Sequence, residues 1–104
     1  MSVPYTHDRR KVSEFRDKNM TNMDASVFAA VMGYNLAADY EHVRLEVHSE
    51  EGEPSRDGVL LDRLAEAALD HHCAFVTGLQ YQGANDNRLL AAGFRRNPDK
   101  KGSR

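Results

Sequence analysis

The sequence predicts a small single domain of the α/β or α+β class, in which helices pack on one face of a short sheet that includes a β-α-β unit. Three observations support this fold class. The chain has 104 residues, which is the length of one domain. An amphipathic helix pattern, GVLLDRLAEAALDHH, runs directly into a strand pattern, CAFVTGLQY. An alternating strand pattern, HVRLEVHS, precedes both.

The central helix of this arrangement has one apolar side and one charged side. Its apolar arc consists of Leu60, Leu61, Leu64, Ala65, Ala67 and Ala68. Its charged side consists of Asp62, Arg63, Glu66 and Asp70. Asp57 is the predicted N-cap, because its carboxylate can accept from the first free N–H groups of the helix. The apolar arc therefore predicts a helix that lies on the core.

The two strand patterns lie on either side of this helix in the chain. In residues 42–49, Val43, Leu45 and Val47 share one face, and the opposite face carries His42, Arg44, Glu46 and His48. Residues 75–82 supply the second strand. A strand, a helix and a strand within about forty residues predict a parallel pair with a right-handed crossover, with an antiparallel pairing as the alternative. The polar face of the first strand is expected to be exposed or bound.

Three further helices are predicted. Residues 8–19 form a short helix whose apolar anchors are Val12 and Phe15. Residues 22–40 form a longer helix with Gly33 in its middle, and it is apolar nearly all round, so it is buried on more than one side or contacts a partner. Residues 87–92 form a short helix that Gly93 ends. Because two strands make a thin sheet, we expect a third strand or a second subunit beside them.

Charge divides the chain into three parts. Residues 1–20, predicted to be a loose or short-helical arm, carry a net charge of +2, and residues 97–104 are predicted to be a basic disordered tail. The folded domain is predicted to span residues 21–96, and most of it is acidic. The basic ends predict at most weak contacts with nucleic acid. No apolar run is long enough to span a bilayer and no secretory signal is visible, so we expect a cytoplasmic protein with no membrane contact.

Five side chains are of the types that bind transition metals: His42, His48, His71, His72 and Cys73. Their spacing matches no metal-binding signature, so no metal and no other cofactor is predicted. Whether His71, His72 and Cys73 bind a metal is left open by the sequence. We expect His71 to cap the C-terminus of the central helix, and Cys73 to be a buried, inert thiol.

The order of strand LEVHSEEG, helix GVLLDRLAEAAL, strand AFVTGLQ and a final LLAAGF resembles the second half of a GNAT-type acetyltransferase, over about residues 43–96. The resemblance implies that the loop before the helix binds an acyl-CoA. The chain departs from the phosphate-binding pattern of that family, because Arg56 lies two residues before Gly58 and Leu60 occupies the second small position. An abridged acyl-CoA-binding transferase is the alternative function that follows from the resemblance.

No combination of residues indicates catalysis, so the main hypothesis is a non-catalytic protein-binding module that acts as a regulator, adaptor or inhibitor of a larger complex. The candidate contact residues are the charged side of the central helix and the polar face of the first strand. Asp62, Glu66 and Asp70 follow one another at intervals of four, so their like charges stack on one side and suit a protein with a basic surface. The apolar helix 22–40 is the other candidate surface, either for a partner or for a second copy in a homodimer.

Overall fold

The structure is a computed structural model that describes residues 7–50, 56–84 and 86–98, except for the side chains of residues 56 and 57. In chain order its elements are α1 (Arg9–Asn19), α2 (Ala25–Met32), α3 (Leu36–Asp39), β1 (Tyr40–His48), α4 (Arg56–Asp70), β2 (Phe75–Gln82) and β3 (Arg88–Arg96). Helices and a three-stranded antiparallel sheet form one small mixed domain, so the predicted fold class is confirmed.

The first helix, α1, occupies the segment that the sequence predicts. Asp8 is its N-cap, and the Asp8 carboxylate accepts a hydrogen bond from the N–H of Arg10 at 2.7 Å. Val12 and Phe15, the two predicted anchors, are buried among the residues of α4 and the sheet. Burial of these two side chains attaches α1 to the core.

The central helix, α4, is also confirmed, together with its apolar arc. The side chains of Leu60, Leu64, Ala65 and Ala68 are fully buried, and Leu61 and Ala67 are half-buried against them. The N-cap prediction is wrong, because α4 begins at Arg56 and Asp57 is already inside its first turn. The arc covers the face of the sheet that carries Leu45, Val76, Leu89 and Ala91.

The strand pairing differs from the predicted parallel pair. The sheet order is β1-β3-β2, and β3 is antiparallel to both neighbours. The strands β1 and β2 therefore run in the same direction without touching. The predicted helix over residues 87–92 is wrong, because this segment is the first part of β3, the central strand. Leu and Ala favour a helix by their intrinsic propensity. A strand that is buried on both faces of a sheet also has a continuous apolar run, and packing in the sheet makes this segment a strand.

The predicted helix over residues 22–40 is interrupted in its middle. The helix α2 ends at Gly33, which has a φ of 79° and whose N–H donates to the carbonyl of Ala29. Asn35 then caps the single turn of α3, and β1 starts at Tyr40. Glycine adopts the left-handed conformation at no steric cost, so Gly33 ends a helix where the apolar pattern alone predicts its continuation.

The helices cover the sheet unequally. Helices α1 and α4 cover one face, as predicted for the central helix, whereas the segment α2–α3, from the predicted helix 22–40, covers one end of the other face. At that end the aromatic rings of Tyr40, Phe75 and Phe94 are buried beneath Phe28, Tyr34 and Leu36. The Phe28 and Phe75 ring centroids are 4.6 Å apart. Among the described residues no helix has the length and apolar character needed to cross a membrane.

Candidate functional site

Two acidic residues of α4, Asp62 and Asp70, contact basic residues of α1 and of the segment just before it. The Arg16 guanidinium donates to the Asp62 carboxylate at 2.5 Å, and the Arg9 guanidinium lies 3.7 Å from the same carboxylate. The His7 ring nitrogen Nε2 lies 2.8 Å from the Asp70 carboxylate. The pKa of Arg16 is raised mainly by its side-chain hydrogen bond to Asp17, and next by its hydrogen bond to Asp62. The predicted charged surface of α4 therefore has basic contacts within its own chain.

Arg63 connects the two groups of predicted contact residues. Its guanidinium donates to the main-chain carbonyl of His48, the last residue of β1. This contact brings the charged side of α4 next to one end of β1. Glu66, the middle acid of the predicted stripe, is half-buried. The charged side of α4 and the end of β1 are therefore neighbours at Arg63.

The polar face of β1 is open to solvent. His42, Arg44, Glu46 and His48 are all exposed, as one of the two predicted alternatives for this face requires. Atom Oε2 of Glu46 lies 3.1 Å from Nη1 of Arg88 and 3.3 Å from Nε2 of His48. Within the described ranges no carboxylate lies within ion-pair distance of Arg44.

A shallow groove crosses this open face. Its volume is about 250 Å³, and it is lined by His42, Arg44, Gly78, Gln80, Gln82, Leu90, Ala91 and Ala92. Gly78 has a φ of 66° at the point where the register of β2 shifts between Thr77 and Gln80. Sequence reasoning missed Gln80 and Gln82, because it did not place a central strand between β1 and β2. The polar second half of β2 was the available signal.

The helix α2, together with Met23 just before its N-cap, exposes an apolar surface. The relative exposures are 37% for Met23, 51% for Val27, 67% for Val31 and 51% for Met32. No charged residue occurs between Asp24 and Asp39, so this part of the chain is apolar or neutral throughout. The sequence indicated an apolar helix here but did not identify which of its residues reach solvent. We call these four residues the α2 apolar surface.

His71, His72 and Cys73 lie in the turn that follows α4. The ring of His71 is exposed and makes no hydrogen bond to any described residue, so the prediction that it caps α4 is wrong. The N–H groups of His72 and Cys73 donate instead to the carbonyls of Leu69 and Ala68, and His72 takes a φ of 60° to allow it. Arg95 donates to the carbonyl of His71 at 3.4 Å.

Cys73 is buried, as predicted. Burial raises the pKa of the Cys73 thiol to about 11, opposed in part by the positive charge of Arg95. Because the thiolate is the reactive form, this thiol is protonated and inert near neutral pH. In the part of the chain that the structure describes, no three His, Cys, Asp or Glu side chains are grouped so as to hold a metal ion.

The resemblance to acetyltransferases can be compared with the fold. Arg56 and Gly58 lie in the first turn of α4, and residues 51–55, where the resemblance places the acyl-CoA loop, lie outside the described residues. The final LLAAGF segment is the central strand of the sheet. Comparison of the whole chain with models of known families, with curated proteins and with solved structures finds no match.

Proposed function

We propose that this protein is a small non-catalytic binding module that docks onto an apolar groove of a partner protein through the α2 apolar surface. One observation carries the proposal: Met23, Val27, Val31 and Met32 project from one short segment with between 37% and 67% of their surface exposed. Large apolar side chains grouped in this way are uncommon on a small domain unless the patch contacts another molecule. A regulator or adaptor of a larger complex needs such a surface to contact its partner.

The helix that carries this surface is held firmly by the rest of the domain. Asp24 caps its first turn by accepting from the N–H groups of Ser26 and Val27, at 2.8 Å and 3.4 Å. Gly33 closes its last turn, and Phe28 packs on Phe75 beneath it. A helix fixed in this way loses little conformational entropy when it docks, which favours affinity. An amphipathic helix lying in an apolar groove is a recurrent mode of recognition.

The charged side of α4 supports a different partner, a protein with a basic surface. Asp62 already accepts from Arg16, and Asp70 already contacts His7. A basic partner at this surface therefore has to compete with α1. For this reason we favour the α2 apolar surface, and we keep recognition through Asp62, Arg63, Glu66 and Asp70 as the alternative that the experiment must distinguish.

The test uses two variants that carry the same added charge on the same helix. Val31→Glu places a carboxylate in the α2 apolar surface, and Ser26→Glu places one at an exposed polar position of α2. A photoreactive amino acid at position 31 captures the partner, and calorimetry then measures binding of the purified partner. We expect Val31→Glu to weaken affinity at least about tenfold, since one buried charge costs several kcal/mol. Ser26→Glu is expected to bind like the wild type.

The salt dependence of binding separates the two surfaces. Apolar docking gives a negative heat-capacity change and an affinity that changes little with ionic strength. Affinity that falls with salt, and that is lost when Asp62, Glu66 and Asp70 are neutralised, would contradict docking through α2. A titration with acetyl-CoA tests the alternative function, because saturable binding at micromolar concentration would contradict a purely non-catalytic module.

A further inference from the structure

The two outer strands of the sheet differ in how their free edges are covered. At the edge of β2, the N–H of Thr21 donates to the carbonyl of Val76, and the N–H of Gly78 donates to the carbonyl of Met23, each at 3.0 Å. At the outer edge of β1, the N–H of Tyr40 donates to the carbonyl of Leu36 at one end, and the carbonyl of His48 accepts from the Arg63 guanidinium at the other. Between these ends, the main-chain groups of His42, Arg44 and Glu46 form no hydrogen bond with a described residue outside β1. An exposed strand edge is a template for pairing with another strand, so proteins normally cover or charge it.

The register of the β1–β3 pair shows which groups face this open edge. The N–H of Ser49 donates to the carbonyl of Asn87 and the N–H of Asn97 donates to the carbonyl of Asp39, both at 2.8 Å. The pairing between them runs without a shift. In an antiparallel pair, hydrogen-bonded residues alternate along the strand. The odd-numbered residues of β1 therefore bond to β3, and the main chains of His42, Arg44, Glu46 and His48 face outward.

We propose that the open edge of β1 pairs with the β1 edge of a second copy of this chain, antiparallel about a two-fold axis at Leu45. The two sheets then form one continuous six-stranded sheet. The inference is independent of the proposed function, which uses α2. A two-fold interface brings the same strand together with itself, so the sequence of β1 has to be complementary to its own reverse.

Charge selects one register for this pairing. Outward-facing residues must pair with outward-facing residues, and the registers that do so with their centre near the middle of β1 are those centred on Arg44, Leu45 and Glu46. A register centred on Arg44 places two arginines opposite each other, and a register centred on Glu46 does the same with two glutamates. The register centred on Leu45 places Arg44 opposite Glu46 of the second copy, twice over. Opposite charges directly across a strand pair are stabilising and like charges are destabilising.

The contacts that Arg44 and Glu46 make in one copy are compatible with this register. Among the described residues Arg44 contacts no carboxylate, and both recorded contacts of Glu46 use its atom Oε2, which leaves Oε1 for an arginine of the second copy. On the helix face of the sheet, the half-buried Val43 faces Val47 of the second copy. Dimerisation thus pairs the outward-facing main chain, matches the charges and covers apolar edge atoms.

Charge reversal tests both the interface and its register. Sedimentation equilibrium of the full chain is expected to show a species of twice the chain mass of 11.7 kDa for the wild type. Arg44→Glu and Glu46→Arg each place like charges opposite each other, so each is expected to weaken dimerisation at least tenfold. An equimolar mixture of these two variants restores both opposite-charge pairs and is expected to form a heterodimer. Lys11→Glu, at an exposed position of α1, is the control for net charge.

Hydrogen exchange gives a second readout that does not depend on side-chain charge. In the dimer, the amide protons of His42, Arg44, Glu46 and His48 should exchange slowly, and in Arg44→Glu they should exchange fast. The odd-numbered amides of β1 should be protected in both. A wild-type chain that stays monomeric at millimolar concentration would overturn the proposal. So would a dimer that survives Arg44→Glu, or a mixture of the two variants that remains monomeric.

Discussion

At the scale of single residues, the environment of Gly93 decides the close packing of the sheet against the turn after α4. A Cβ atom at this position would lie 2.7 Å from the Cys73 sulfur and 2.9 Å from Cδ1 of Leu45. Both neighbours are themselves buried. The sequence assigned Gly93 a role as a helix terminator, whereas its actual role is to leave space for two side chains in the middle of β3.

We expect Gly93→Ala to lower the free energy of unfolding by about 1–3 kcal/mol, because the added methyl group overpacks a buried site. Gly58→Ala is the matched control, since a Cβ there meets no atom within 4 Å and the position lies in the exposed first part of α4. That control is expected to gain about 0.5–1 kcal/mol from the helix preference of alanine. Urea unfolding of both variants measures the two effects, and equal stabilities would show that the β3 site can accommodate the methyl group.

At the scale of secondary-structure elements, α1 is part of the domain core. It contributes Val12 and Phe15, of which 1% and 6% of the surface remains exposed, to the same cluster as Leu60 and Leu64. The chain continues from α1 to the covered edge of β2, where Met20 forms a bridge with Val76. Helix α1 therefore supports both α4 and the sheet.

Truncation of Phe15 tests this role of α1. We expect Phe15→Ala to lower the free energy of unfolding by about 3–5 kcal/mol, the usual cost of removing a buried aromatic ring. Val31→Ala, which removes apolar atoms from a side chain that is 67% exposed, is expected to change it by less than about 0.5 kcal/mol. Chemical denaturation with a common slope gives both values. A loss below about 1 kcal/mol for Phe15→Ala would mean that α1 is not attached to the core in solution.

At the scale of the whole molecule, ion pairs within the fold compensate part of the uneven charge of the chain. The basic N-terminal segment packs through α1 on the acidic side of α4, and Arg95 of β3 holds Glu41 of β1 through two nitrogens, at 3.0 Å and 2.5 Å. A charge pattern that looks in the sequence like a surface for a basic partner therefore serves, at Asp62 and Asp70, as an internal contact.

This compensation changes the effect expected from neutralising the acids of α4. The sequence alone predicts that replacing Asp62, Glu66 and Asp70 by amides leaves stability unchanged or raises it, because stacked like charges are removed. With Arg16 in contact with Asp62 and His7 in contact with Asp70, we expect the triple variant to be slightly less stable than the wild type, because the contacts that it removes are partly exposed and screened by solvent. The loss should shrink at high salt, as urea titrations at two ionic strengths will show.

The control for that experiment neutralises acids that have no described basic contact. Glu14 on α1 and Asp86 in the turn before β3 are both exposed. The double variant Glu14→Gln, Asp86→Asn is expected to change stability by less than about 0.5 kcal/mol at either salt concentration. A triple variant more stable than the wild type would contradict the intramolecular role of Asp62 and Asp70 and would restore the sequence-based expectation.

The sequence by itself determined the elements whose periodicity is strong. The arc from Leu60 to Ala68 predicted α4, the alternation of Val43, Leu45 and Val47 predicted β1, and the spacing of Val12 and Phe15 predicted α1. In each of these elements one side meets the core and the other meets polar surroundings. The apolar and polar residues of such an element therefore recur with the period of a helix or a strand, which can be recognised in the sequence.

Only the tertiary structure decided the identity of β3 and the contacts of the charged residues. The segment LLAA is apolar on every side, so its local pattern does not distinguish a helix from a central strand. Its burial in the middle of the sheet, beneath α4, determines that it is a strand. Asp62 and Arg16 are 46 positions apart in the chain, and a pairing over that distance leaves no local signal. The openness of the β1 edge is likewise a property of strand order, which depends on long-range packing and not on the residues of β1.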